Sequence, residues 1–213
     1  MMNIDLQNLS FKPKGKSVFE GLTFSFKAGA NYLISGASGC GKSSLLNIVS
    51  GMISGDLGEV LINGELIKDF CEHRKKCQYL RQTPYMYSAS VRENLLLSLR
   101  YHKEILPSDE ELLEKASKLF PEGLDLDQDA EQLSGGQQQR LALLRAILLK
   151  PKALLCDELT AGLDEDSRKL CENFLEYDCE STTLLFVSHI AESFAGSASF
   201  TRLHMSRKAL EIS

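Results

Sequence analysis

No stretch of the sequence is long and apolar enough to cross a bilayer, which takes roughly 20 consecutive apolar residues. The two most apolar windows, 141–149 and 153–156, are respectively interrupted by Arg145 and set apart by Lys150-Pro151-Lys152. The opening residues Met1-Met2-Asn3-Ile4-Asp5 have no basic flank and no apolar stretch behind them, so no secretory leader is expected. Basic charge is also in short supply: 24 Lys and Arg against 29 Asp and Glu give a net charge of -5. Nucleic-acid-binding domains usually carry a basic patch or stripe, so that class is disfavoured. The six cysteines include no C-x-x-C pair, and reduced thiols are expected. Cys71, His73 and Cys77 are the only clustered soft ligands. They fall short of the four closely spaced ligands of a typical zinc site and read as a solvated loop edge. No repeat, linker or low-complexity tract divides the chain. The expectation is a cytosolic protein that reaches a membrane only through a partner.

The 213 residues suit about one domain, and 43% hydrophobic with 25% charged residues is a globular balance. The first third alternates as strands do, at 4–6, 9–11 and 22–26, with Gly15, Gly21 and Gly29 as turns. Tyr32-Leu33-Ile34 is a short apolar strand that runs into a glycine-rich turn and then a helix from Lys42 to about Val49. Glu59 to Ile62 reads as a strand closed by an Asn63-Gly64 turn. Leucines at helical spacing predict helices over 91–101, 109–120 and 136–149. Ser108 with three following acids marks one helix start. Beyond Pro151 the pattern is strand, helix, strand at 153–156, 166–177 and 183–187, then a final hairpin over 199–205 and 208–212. The whole reads as an α/β core interrupted by helices.

Three segments carry chemistry. Gly36-Ala37-Ser38-Gly39-Cys40-Gly41-Lys42-Ser43, followed by Ser44, fits G-x-x-x-x-G-K-[ST] between a strand and a helix. Glycines let several backbone N–H groups converge on phosphate oxygens, and the helix N-terminus adds partial positive charge. Lys42 is placed to reach β- and γ-phosphates and Ser43 to ligate Mg²⁺. This predicts nucleotide binding without saying which reaction follows. Ala153 to Cys156 is an apolar strand ending in Asp157-Glu158. Beside a phosphate loop, Asp157 is placed to hold Mg²⁺ and Glu158 to polarise an attacking water. Leu133-Ser134-Gly135-Gly136-Gln137 opens a helix with Ser134 as N-cap. It is a second anion cradle, which makes sense if it serves the nucleotide of another copy.

In their order and over nearly the whole chain, these segments resemble an ATP-binding-cassette (ABC) ATPase, the nucleotide-binding subunit of ABC transporters. Gly36 to Ser43 is similar to the Walker A loop, Gln82 to the Q-loop glutamine, Leu133 to Gln137 to the LSGGQ signature, and Leu154 to Glu158 to the Walker B strand. Ala161-Gly162-Leu163-Asp164 resembles the D-loop and Val187-Ser188-His189 the switch histidine. The resemblance implies a P-loop NTPase of ABC type, α/β, with a mixed sheet core, an N-terminal antiparallel β region and an inserted helical subdomain. It implies one nucleotide-binding domain over 1–213, with core residues 1–82 and 151–213 and the helical subdomain at about 83–150. It implies ATP and Mg²⁺ as cofactors, with Ser43, Gln82 and Asp157 on the metal and Lys42, Glu158 and His189 catalytic. Two copies would bind head to tail, the Walker A loop of one facing Ser134, Gly135, Gly136 and Gln137 of the other, with Asp164 linking the sites.

The chain departs from the family at Pro13, where an aromatic usually stacks on adenine and where Phe11 is the nearest ring. It departs again at Leu159, in place of a common Pro, and at Gly162, in place of a common Ala. Asp129-Ala130-Glu131-Gln132 stands where exporters carry a glycine-rich segment. Gln82 to Tyr87, with two tyrosines and Met86, packs between subdomains or lines a partner groove; binding surfaces are enriched in these residues. The implied partner is an integral membrane permease, with the chain peripheral on the inner face of the membrane and no nucleic acid expected. QTP, VRENL and DELT are similar to small bacterial ATPases of the iron-export type, which makes iron or another metal a lead on cargo. The competing function is a non-transport ABC ATPase acting on nucleic acid or ribosomes.

Overall fold

The computed structural model describes residues 1–179, 181–189, 193–194 and 197–212. Among these, ten strands form two sheets, and six α-helices pack around them. The first sheet is antiparallel, in the order β2 (Phe19–Phe26), β1 (Ile4–Phe11), β4 (Leu57–Ile62), β5 (Glu65–Leu66). The two short strands expected at 4–6 and 9–11 are one strand, β1, whose register shifts around Asn8 at a φ of 50°. A bulge of this kind breaks the alternation of faces that separated them in the sequence.

The second sheet has the order β10 (Leu210–Ile212), β9 (Phe200–Met205), β3 (Asn31–Ser35), β8 (Thr183–Val187), β7 (Ala153–Asp157), β6 (Cys77–Leu80). Strands β9, β3, β8, β7 and β6 are parallel, and β10 closes the sheet as an antiparallel hairpin. Parallel strands are buried on both faces, and β7 and β8 obey this: every residue of each is buried. Leu154, Cys156, Leu184 and Phe186 face one core, and Ala153, Leu155, Leu185 and Val187 face the other. The second core also takes Leu45, Leu46 and Val49 of α1 (Lys42–Val49) and Ile4, Leu6 and Phe26 of the antiparallel sheet. Each such side chain, fully buried, stabilises the fold by about 1.5–3 kcal/mol.

The first core is built with α3 (Val91–Tyr101), α4 (Asp109–Ala116), α5 (Gly135–Leu148) and α6 (Glu165–Tyr177). Helix α4 stops at Ala116 rather than 120, and α5 starts at Gly135 rather than 136. One helix was not expected: α2 (Phe70–Lys76), begun by Asp69, whose carboxylate accepts from the N–H groups of Cys71 and Glu72. It overturns the solvated loop edge. His73 and Cys77 are buried, and the His73 ring bonds the Val49 carbonyl at 2.9 Å. None of the described helices is long and apolar enough to cross a membrane.

Candidate functional site

The site lies at the carboxyl ends of the parallel strands, where open α/β sheets place their ligands. Strand β3 runs out into the Gly36–Gly41 loop. Gly36 has a φ of 148°, and a Cβ there would stand 2.3 Å from the Met205 carbonyl oxygen of β9. Gly41 caps α1, which carries no acidic residue in its first turn. The first N–H groups of a helix lack intrahelical acceptors, so Lys42, Ser43 and Ser44 offer theirs to the loop's concavity. The Lys42 side chain is buried and turned back over the loop, its ammonium 2.8 Å from the Gly36 carbonyl and 3.1 Å from that of Ala37. Cys40 Sγ lies 3.9 Å away. Carbonyls hold this charge in place without cancelling it as a carboxylate would.

Strand β7 brings Asp157 beside α1. The Ser43 hydroxyl donates to one Asp157 oxygen at 3.1 Å, and the Tyr79 hydroxyl of β6 donates to the other at 2.9 Å. Burial and the nearby Asp157 carboxylate push the Tyr79 phenol well above its ordinary range, so it stays a donor. Glu158 follows at a φ of 52°, a left-handed conformation uncommon outside glycine, and its N–H is held by the Val187 carbonyl at 3.0 Å. That turn aims the carboxylate at the end of β8, where Glu158 Oε1 lies 2.6 Å from His189 Nε2. Gln82 is exposed just past the end of β6, a strand in register with β7. Lys42, Ser43, Asp157, Glu158 and His189 are thus gathered at one end of the sheet. Oxygen donors at Ser43 and Asp157 suit a hard cation such as Mg²⁺, and an uncancelled ammonium above open N–H groups suits phosphate.

The Ser134 segment is elsewhere. Ser134 caps α5 in a reciprocal box: its Oγ accepts from Gln137 N at 3.3 Å, and Gln137 Oε1 accepts from Ser134 N at 3.0 Å. Ser134 and Gly135 are exposed, and a Cβ on Gly135 would meet nothing within 4 Å. Gly136 instead backs onto the start of α6, where a Cβ would stand 2.9 Å from Ser167 Oγ and 3.7 Å from Asp164 Oδ2. Asp164 caps α6 by accepting from Ser167 N at 2.9 Å, which holds its carboxyl below the usual range. Among the described residues, none from Ser134 to Gln137 hydrogen-bonds to the Gly36–Ser44 loop. A segment at Pro13–Gly15 forms a short 3-10 turn, and Phe11 packs on the core beside Phe19, their ring centres 6.1 Å apart.

A family model described as ABC transporter matches residues 19–161. The chain belongs to the ABC transporter family. Among its relatives, the ABC-type transporter kk1G of Curvularia clavata is 33% identical over 88% of this chain. The leptomycin B resistance protein pmd1 of Schizosaccharomyces pombe is 33% identical over 81%, and ABC transporter B family member 21 of Arabidopsis thaliana 32% over 88%. The chain spans only 15%, 13% and 15% of the lengths of these three. A bacterial Atm1-family ABC exporter solved with ATP bound shares the fold, with a TM-score of 0.85 at 23% identity over 98% of this chain and 37% of that one. The ABC-type P-loop fold, with its antiparallel sheet and added helices, is thus the one expected from the sequence.

Two features escaped sequence reasoning. Tyr79 sits in an unremarkable strand, and no motif marks it. In the segment after Gln82 the two tyrosines and the methionine part company: Tyr85 and Tyr87 are 68% and 40% exposed, whereas Met86 is buried in the helical core.

Proposed function

We propose that this chain binds and hydrolyses MgATP in a head-to-tail dimer that drives a separate membrane permease. The observation that carries the reading is the cluster at the strand ends, Lys42, Ser43, Asp157, Glu158 and His189, together with the exposed Ser134 and Gly135 at the head of α5, in a different part of the chain. Lys42 and the loop N–H groups from Gly36 to Ser44 hold phosphate. Ser43 and Asp157 ligate the metal, with Gln82 completing its shell. The metal, when bound, neutralises charge that develops on the phosphoryl oxygens. Glu158 takes the proton of the attacking water, and His189 holds the Glu158 carboxylate in position and contacts the terminal phosphate. Ser134, Gly135, Gly136 and Gln137 cover the nucleotide held by the other copy, and Asp164 links the two sites.

Residues 1–82 and 151–213 form the nucleotide core, and about 83–150 the helical subdomain. The permease meets the groove beside Tyr85 and Tyr87, a cavity of about 290 Å³ whose walls include Arg74, Tyr87, Tyr101 and His102. Such a complex would lie on the inner face of the membrane. Export is the direction supported by relatives named for drug resistance, with iron or another metal as the narrower lead on cargo.

Glu158→Gln tests the core of this reading. It keeps the acceptor oxygen and removes the base, so hydrolysis falls about 10²–10⁴-fold, the scale of general acid–base catalysis. ATP binding persists and the dimer accumulates in light scattering. Near-normal turnover in that variant removes Glu158 from its role.

A further inference from the structure

Asp157 accepts two hydrogen bonds, one per oxygen, and only one comes from the phosphate-loop helix. The second comes from Tyr79, whose position is fixed by the sheet. Tyr79 pairs with Leu155 across parallel strands β6 and β7, so the two share a face, and Asp157 is the next residue on that face. The Tyr79 ring packs on the core between the sheets, and its hydroxyl reaches Asp157 Oδ2 at 2.9 Å. The direction of this bond is also fixed. Asn47 of α1 donates its amide to the Ser43 carbonyl at 2.7 Å and to the Tyr79 oxygen at 3.3 Å. Because the phenol oxygen accepts from Asn47, its own proton is left for Asp157.

A carboxylate has about four acceptor positions. Ser43 and Tyr79 occupy one on each oxygen of Asp157, which sets the plane of the group and leaves one position per oxygen open. Ser43 would join the metal in the reading above and would then give up its bond to Asp157. The bond from Tyr79 comes from a group that would not ligate, so it could be kept with the metal bound.

We propose that Tyr79 is a positioning residue for the metal site, holding Asp157 at the angle that Mg²⁺ requires, with Asn47 orienting the phenol. This rests on the reading of Ser43 and Asp157 as the metal's oxygen donors. Partners of this kind, one bond removed from the ion, typically change metal affinity about 10–100-fold when lost.

The test compares fluorescent-ATP affinity with Mg²⁺ present and with the metal chelated, in the full chain and in Tyr79→Phe. The ring and its packing survive in that variant, and only the hydroxyl is lost. The expected result is unchanged affinity without metal and a Mg²⁺-dependent gain reduced about 10-fold. Mn²⁺ titration followed by electron paramagnetic resonance should show the same loss in direct metal binding. Asn47→Ala, which frees the phenol to turn away, should give a smaller loss in the same direction. A Mg²⁺-dependent gain equal to wild type in Tyr79→Phe overturns the proposal, as does an equal loss of affinity with and without metal, the mark of a packing role. Wild-type protein with no Mg²⁺-dependent gain at all would instead overturn the metal reading on which the proposal rests.

Discussion

At the scale of single residues, the charges that matter here are held by neutral groups. Lys42 is fastened by two carbonyls, and Asp157 by two hydroxyls. Glu158 is held in a left-handed turn that costs a non-glycine residue about 1–3 kcal/mol and delivers its carboxylate to His189. Such cost is tolerated where surrounding strands fix the backbone, and Val187 of β8 does so. A different residue carries a prediction about acid. Burial lowers the His73 pKa from its ordinary 6.5, so the folded chain binds fewer protons than the unfolded one. The stability tied to neutral His73 is present above pH 6.5 and is lost as pH falls through the lower folded value. Urea unfolding from pH 7.5 to 5 should show wild type losing more stability than His73→Gln. Parallel curves would mean His73 does not contribute to acid sensitivity. The motif residues were legible in the sequence because phosphate chemistry fixes their spacing along a few consecutive positions. Tyr79 and His73 were not, since each acts through a partner distant in sequence, Asp157 and Val49.

At the scale of elements, the signature turn is part of a helix junction. Gly136 at the head of α5 lies against Ser167 in the first turn of α6, and Asp164 caps that turn. Position 136 needs the glycine for close approach, not for an unusual φ. Gly136→Ala would push on the Ser167 hydroxyl and cost about 1–3 kcal/mol, the range for overpacking. Ser167→Ala removes the nearest obstructing atom, Oγ at 2.9 Å, so a double-mutant cycle in urea should show favourable coupling above about 0.5 kcal/mol. Strict additivity would separate the two helices energetically. Elements with a clear apolar pattern were readable: α3 and β8 have the bounds expected. Helix α2 was missed because seven residues are too few to show a period, and its only start signal is Asp69. The strand order of the second sheet was beyond local reading, because β3 pairs with β8 and β9, which follow it only after most of the chain.

At the scale of the whole molecule, the proposed dimer gives each chain two half-sites, the Gly36–Ser44 loop and the Ser134–Gln137 turn. A head-to-tail pair would complete both together, and this has a numerical consequence. Lys42→Ala and Ser134→Arg should each abolish hydrolysis alone. Mixed in equal amounts, half of the random pairs contain one of each, and one of two sites in such a pair is intact. About a quarter of wild-type activity should return in a two-fold symmetric dimer. No recovery on mixing counts against the sandwich.

The first glycine of the phosphate loop has a consequence of another kind. Gly36 faces the Met205 carbonyl at a distance that no Cβ can occupy, and every other amino acid brings a Cβ. The obstruction is main chain, so no change of a neighbouring side chain can make room. Any side chain at position 36 therefore requires the β9 main chain to shift, so this position should be the least tolerant of substitution in the loop.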